Sequence, residues 1–130
     1  MLSETFSQPV SVEKALKDKT ITVAFRGNDS SPHYYKPLMM DIKNISRKKL
    51  DLIIECGRFF IPEEEKYQKI VAVNQEIISL EPGKNQCSAF YGMCAEKNDL
   101  APDSQILYSI GGLADEPLSE LVEYIAKNQY

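Results

Sequence analysis

Apolar and polar residues alternate along most of this chain, and the alternation has a period of two. Ile21, Val23 and Phe25 interleave with Thr22, Ala24 and Arg26, which predicts a strand over 20–26. Leu38, Met40 and Ile42 oppose Asp41 and Lys43 in a second strand over 38–45. Leu50, Leu52, Ile54 and Cys56 share the core side of a third, with Asp51 and Glu55 turned out. Further strands are predicted over 67–73, 76–80, 86–94 and 106–110, the last stopped by Gly111-Gly112. Phe59, Phe60 and Ile61 read as a short apolar cluster folded over one end of the core. Leu52, Ile54, Val71, Ile78 and Phe90 are expected to be nearly fully buried.

The breaks between strands carry turn chemistry. Gly27 to Pro32 and Glu96 to Ser104 read as loops. Glu81-Pro82-Gly83-Lys84 suits a type II turn, with proline and glycine at the central positions. Residues 1–19 are polar with weak periodicity and read as an N-terminal arm. The tail differs in kind. Leu118, Leu121, Val122 and Ile125 fall on one stripe at helical spacing, Asp115 is placed to cap, and Pro117 sits in the first turn. The expected fold is therefore mainly β: one domain with an arm at 1–19, an antiparallel β-sandwich of about seven strands over 20–112, and an amphipathic helix within 113–130. The stripe is expected to pack on the chain's own sandwich. Exposed tyrosines at Tyr124 and Tyr130 leave open a partner at this end, or a chain that continues past Tyr130.

The stretch PLMMDIKNISRKKLDLIIECGRFF, Pro37 to Phe60, resembles the opening strands of immunoglobulin-like modules of bacterial secreted and surface proteins. ISLEPGKNQCSAFYGMC is similar to their strand–turn–strand unit. The resemblance covers about two thirds of the chain and departs from antibody-type domains in having no Trp. It implies an immunoglobulin-like sandwich serving as a binding, spacing or assembly unit.

Composition narrows the function. With 43% hydrophobic and 26% charged residues in 130, the chain can bury a core without metals or disulfides. A net charge of -4 argues against nucleic acid, whose binders carry a basic footprint. No apolar run is long enough to insert in a membrane as a helix. The N-terminus does not read as a signal peptide, so a cytoplasmic chain and the mature part of an exported one are both open. Cys56, Cys87 and Cys94 read as small buried hydrophobes, with a bridge from Cys56 to one of the others left open. Along a single strand Cys87 and Cys94 would stand about 23 Å apart and could not pair with each other.

Candidate chemistry is sparse. Asp29, Ser30 and His33 share one loop and invite a hydrolase reading, but no nucleophile elbow accompanies them. No catalytic residue is assigned. The same loop reads better as a binding loop, with Asp29 and His33 beside the flat amphipathic contacts of Tyr34 and Tyr35. Phe59, Phe60 and Tyr91 are candidates to line an apolar ligand pocket. Glu63 to Glu65, Asp99 and Asp103 match no calcium loop, and His33 is the lone histidine, so no metal or cofactor is expected. Asn44-Ile45-Ser46 matches a glycosylation acceptor, and reads first as a polar turn in which Asn44 bonds nearby backbone. The expectation is a non-enzymatic binding or assembly module with a protein partner. The alternatives are a small-ligand or regulatory domain and, behind it, a hydrolase using the His33 loop.

Overall fold

In the computed structural model of the chain, the described residues are 8–29, 34–95 and 104–114, with backbone alone at 34 and 35. They form nine strands and one short helix: β1 (Val10–Ser11), α1 (Val12–Lys17), β2 (Ile21–Gly27), β3 (Tyr34–Asn44), β4 (Leu50–Ile54), β5 (Arg58–Pro62), β6 (Ile70–Ala72), β7 (Glu76–Leu80), β8 (Asn85–Cys94) and β9 (Leu107–Leu113). Six of them close a barrel in the order β2-β3-β8-β6-β5-β9, and β1, β4 and β7 make a separate three-stranded sheet.

This overturns the sandwich. The alternation within each strand is as expected, but alternation assigns faces, not neighbours. β9 enters between β2 and β5, pairing Phe25 with Tyr108 on one side and Phe60 with Ile110 on the other. That leaves one wall curved on itself, where a sandwich needs two facing sheets. The helical segment expected over 113–130 does not start at Leu113, which ends β9, and residues 115–130 lie outside the described residues.

The two sheets are joined by one bent ribbon. β4 pairs with β7 from Leu50↔Leu80 to Ile54↔Glu76, and β5 pairs with β6 at Phe59↔Val71 and Phe60↔Ile70. The residue numbers of every pair add to the same total, so β4–β5 and β6–β7 are two long strands kept in one register through a bend. The bend falls at Glu55-Cys56-Gly57 and Val73-Asn74-Gln75. Gly57 takes φ 90°, a left-handed conformation that side chains with a Cβ rarely adopt.

Inside the barrel, β2, β5 and β8 each contribute a phenylalanine. Phe25 and Phe60 have ring centroids 4.8 Å apart, Phe60 and Phe90 5.0 Å, and Phe25 and Phe90 6.1 Å, in tilted and edge-on geometries that aromatic rings favour. Leu38, Met40, Ile42, Ile70 and Ala72 fill in around them. Leu52, Ile54, Val71, Ile78 and Phe90 are all buried, as the alternation predicts. At one end, the Tyr108 hydroxyl donates to the carbonyl of buried Gln68 at 2.6 Å.

Part of the expected arm is structure. Ser11 caps α1 by accepting the Lys14 N–H at 3.0 Å, and the helix buries Val12 and Ala15 in the main core. Two residues before Phe60 in β5 stands Arg58, whose side chain is 2% exposed. Its Nε and Nη2 donate to the two carboxylate oxygens of Glu55 at 3.1 and 2.7 Å, Nη1 donates to the Gly111 carbonyl at 2.8 Å, and Glu13 of α1 lies 3.4 Å away. One guanidinium thus ties α1, the ribbon bend and β9 together.

Three local expectations change. Phe59 to Ile61 is strand β5, not a cap over one end, because β9 and β6 pair with it on both edges. Gly111-Gly112 does not stop β9. A Cβ at Gly111 would come within 3.1 Å of Ile61, so glycine permits close approach where β5 and β9 shift register. The strand expected over 67–73 is continuous only over Ile70–Ala72, with Tyr67 in an isolated bridge before it. The turn at 81–84 is as expected, with Gly83 at φ 77° and the Lys84 N–H donating to the Glu81 carbonyl at 3.1 Å.

Candidate binding surface

Residues of β2, β3 and β8 build an open groove of about 420 Å³ lined by Thr22, Val23, Ala24, Asp41, Ile42, Lys43 and Asn85. Their place follows from register. Ala24 pairs with Asp41, and Asp41 with Cys87, so these three stand in a row across the sheet. Arg26 reaches along the same face to form an ion pair with Asp41. Its Nη2 also lies 4.0 Å from the Cys87 Sγ. The hydrogen bond from Arg26 to Asp41, and the charge of Asp41, raise the Arg26 pKa. Cys87 is exposed, and its hydrogen bond to Asp41 is the first cause pushing its thiol pKa up, with the neighbouring guanidinium opposing. This thiol stays protonated near neutral pH, the opposite of an activated nucleophile.

A second face lies across β5, β6 and β8. Val71 and Val73 are buried there among Cys56, Phe59, Tyr91 and Met93, outside the barrel wall. The Lys36 ammonium sits 4.7 Å above the Tyr91 ring. At the edge of this face the ladder between β6 and β8 ends in an unusual way. Val73 donates its N–H to the Tyr91 carbonyl at 3.2 Å. The Tyr91 N–H donates to the Glu76 carboxylate at 2.7 Å, and the Val73 carbonyl accepts from the Cys56 thiol at 3.2 Å. Glu76, the first residue of β7, thus adds a side-chain acceptor at the end of the β6–β8 ladder. Burial raises its pKa, with the Tyr91 N–H and Lys36 opposing.

The residues singled out in the sequence do not converge. The Asp29 carboxylate accepts from the Ser104 N–H at 2.9 Å and its hydroxyl at 2.7 Å, which lowers the Asp29 pKa and clips two loops together. His33 lies outside the described residues. Tyr34 and Tyr35 are in β3, paired with Met93 and Gly92, and their side chains are outside the described set. Phe60 points into the barrel and Phe59 out of it, so Phe59, Phe60 and Tyr91 do not line one pocket. Glu63 accepts the Leu107 N–H at 3.2 Å and Glu64 lies 3.6 Å from Lys66. Glu65 borders a smaller cleft of about 370 Å³ with Ile61, Pro62, Tyr67 and Lys69. Among the described residues no three His, Cys, Asp or Glu side chains gather as a metal would need, and Asp99 and Asp103 are outside them.

No disulfide joins the cysteines. Cys56 and Cys94 are half-buried, and burial pushes the Cys94 thiol up to about 11. Cys87 departs from the expected burial because it falls on the outward side of β8. Asn44 is fully buried, and its Nδ2 donates to the carbonyls of Lys48 and Leu80 at 2.8 and 2.9 Å while its Oδ1 accepts from Ser46. Both amide protons are engaged, so Asn44-Ile45-Ser46 is the polar turn and not an accessible acceptor.

Sequence reasoning missed Arg26, Arg58 and Glu76. Arg26 and Asp41 each show the outward parity of their strands, so a shared face was visible, but not that the strands are neighbours. Arg58 follows the break at Gly57 and Glu76 opens the predicted strand 76–80, positions where alternation does not declare a buried partner. Among the described residues no helix is long and apolar enough to cross a membrane. No protein-family model, curated protein or solved structure matches the chain.

Proposed function

We propose that this chain is a non-enzymatic binding or assembly module that meets a protein partner through the outer face of β2, β3 and β8. The filled barrel carries the reading. Phe25, Phe60 and Phe90 occupy the space where small barrels hold ligands, which directs recognition to the outside. There the open groove presents a mixed polar surface of Thr22, Asp41, Lys43 and Asn85 beside the Arg26–Asp41 pair. Polar rims of this kind supply orientation and specificity in protein–protein contacts. Several other charged groups have internal work: Asp29 clips a loop, Glu76 binds a main-chain N–H of β8, and Arg58 and Glu55 lock the bend.

The test is affinity capture from the source organism followed by titration of the purified partner against the wild-type chain and a Lys43→Glu, Thr22→Arg variant. Both positions are exposed, so the variant should keep its melting temperature. Binding should weaken at least about tenfold, the scale of a disrupted interfacial charge contact. Equal affinity of variant and wild type would place the interface elsewhere, and turnover of a small molecule by the purified chain would end the non-enzymatic reading.

A further inference from the structure

We infer that the barrel end built from the turns at 17–20, 43–49 and 81–84 docks on the surface of an anionic lipid bilayer, with Ile45 as its apolar tip.

These turns are far apart in sequence, and hydrogen bonds hold them together at one end of the molecule. Asn44 donates its N–H to the Lys84 carbonyl and accepts the Gly83 N–H, each at 2.9 Å. Its buried side-chain amide donates to the carbonyls of Lys48 and Leu80 at 2.8 and 2.9 Å. The next residue, Ile45, donates its N–H to the Thr20 carbonyl at 2.9 Å, which draws in the turn after α1.

Charge is the first reason. The turns carry Lys17 and Lys19, then Lys43, Arg47, Lys48 and Lys49, and then Lys84, all of them exposed. They make up nearly half of the chain's 15 basic residues, in a protein whose net charge is -4. Among the described residues none of them is in an ion pair, whereas Lys14, Arg26, Arg58 and Lys66 each have a carboxylate partner. The acids in these turns are Asp18, which Lys14 holds at 3.2 Å, and Glu81. Basic clusters of this size are drawn to anionic headgroups, by about fivefold in affinity for each lysine or arginine close to the surface.

An apolar residue is the second. Ile45 is 50% exposed in the middle of the most basic turn. A bilayer offers both things that this end presents a use for: anionic headgroups for the ammonium groups, and hydrocarbon beneath them for the isoleucine. An acidic protein or a duplex nucleic acid matches the charges, but a charged surface of either kind leaves Ile45 in water.

Co-sedimentation of the chain with lipid vesicles tests the inference. The wild-type chain should pellet with vesicles that are one third phosphatidylglycerol in phosphatidylcholine, and not with phosphatidylcholine alone. Binding should weaken at least about tenfold at about 1 M salt, where the Debye length falls to about 3 Å. The double variant Arg47→Glu, Lys49→Glu should also lose at least about tenfold, and Ile45→Ser should bind more weakly than wild type. Lys66→Glu, in the hairpin between β5 and β6 at the other end of the barrel, should bind as wild type does. All these positions are exposed, so melting temperatures should stay close to that of wild type. Equal pelleting with the two kinds of vesicle, no pelleting with either, or an equal loss in Lys66→Glu would each overturn the inference. Tighter binding to a short DNA duplex than to the vesicles would overturn it in favour of nucleic acid. None of the substituted residues lines the groove of β2, β3 and β8, so this outcome is separate from that of the partner titration.

Discussion

Glu76 shows how one side chain can end a β-ladder. Its carboxylate accepts the Tyr91 N–H next to the rung where Val73 donates to the Tyr91 carbonyl. Glu76→Ala should remove that hydrogen bond to a carboxylate and cost about 1–3 kcal/mol, read by urea denaturation. Glu76→Gln keeps an acceptor oxygen and removes the buried charge, so it should be at least as stable as wild type at pH 7. The pH dependence has a definite sign. Burial raises the folded pKa above the ordinary 4.5, so ionisation opposes folding. The favourable contribution is complete below the unfolded value and is lost as pH rises through the folded one. The gap between Glu76→Gln and wild type should therefore narrow as the pH is lowered towards 4.5, which melting temperatures at a series of pH values would check.

The neighbouring pair Phe59 and Phe60 makes a second contrast at this scale. Phe60→Ala opens a void amid the aromatic trio and should cost about 3–5 kcal/mol. Phe59→Ala removes outer contacts alone and should cost no more than about 2 kcal/mol. Denaturant midpoints of the two variants would decide, and similar losses would show that the outer face matters as much as the core. Two adjacent residues in a strand must point to opposite faces. The opposed roles of Phe59 and Phe60 were therefore present in the sequence, hidden by reading the pair as one cluster.

At the scale of elements, the buried arginine is the strongest tie between parts. Arg58→Ala would leave Glu55 and Glu13 without their cation and Gly111 without its donor. Breaking a buried ion pair costs about 3–5 kcal/mol, and here the lower end applies because both glutamates keep some contact with water. Arg58→Lys should recover little of it, since one ammonium cannot make the two-pronged contact with Glu55. Urea melts of the two variants measure this directly, and a lysine variant as stable as wild type would show that charge alone suffices. The strands themselves were legible because alternation is a local property, as in Ile21 to Arg26. The cap of α1 was also visible at Ser11, followed by Glu13, Ala15 and Leu16, but six residues carry too little periodicity to stand out. The ribbon bend was not legible. It depends on Cys56, Gly57, Val73 and Glu76 meeting across the two strands, and no single stretch of chain contains them.

Across the whole molecule, the pairing of distant strands decides the architecture, and this is where the sequence was least informative. A sandwich and a barrel can be built from the same inward residues, such as Leu38, Phe60 and Phe90. What separates them is whether β9 lies at an edge or between β2 and β5. The candidate surface was half visible for the same reason. Asp41 and Lys43 declare themselves outward on β3, but their company with Arg26, Thr22 and Cys87 follows only from the register of three strands.

The position of β9 also bears on how the chain is made. It is the last described strand, and it supplies both remaining rows of pairing, to β2 and to β5. During synthesis everything through β8 leaves the ribosome while two strand edges still wait for their neighbour. The barrel is completed from the C-terminal side by insertion of a final stave. A chain cut between Ala95 and Ser104 should then behave as two complementing pieces. The larger should expose open edges and tend to associate with itself, and a peptide carrying β9 onward, added in excess, should restore a cooperative melt. Failure of the peptide to do so would mean that closure requires a continuous chain between β8 and β9.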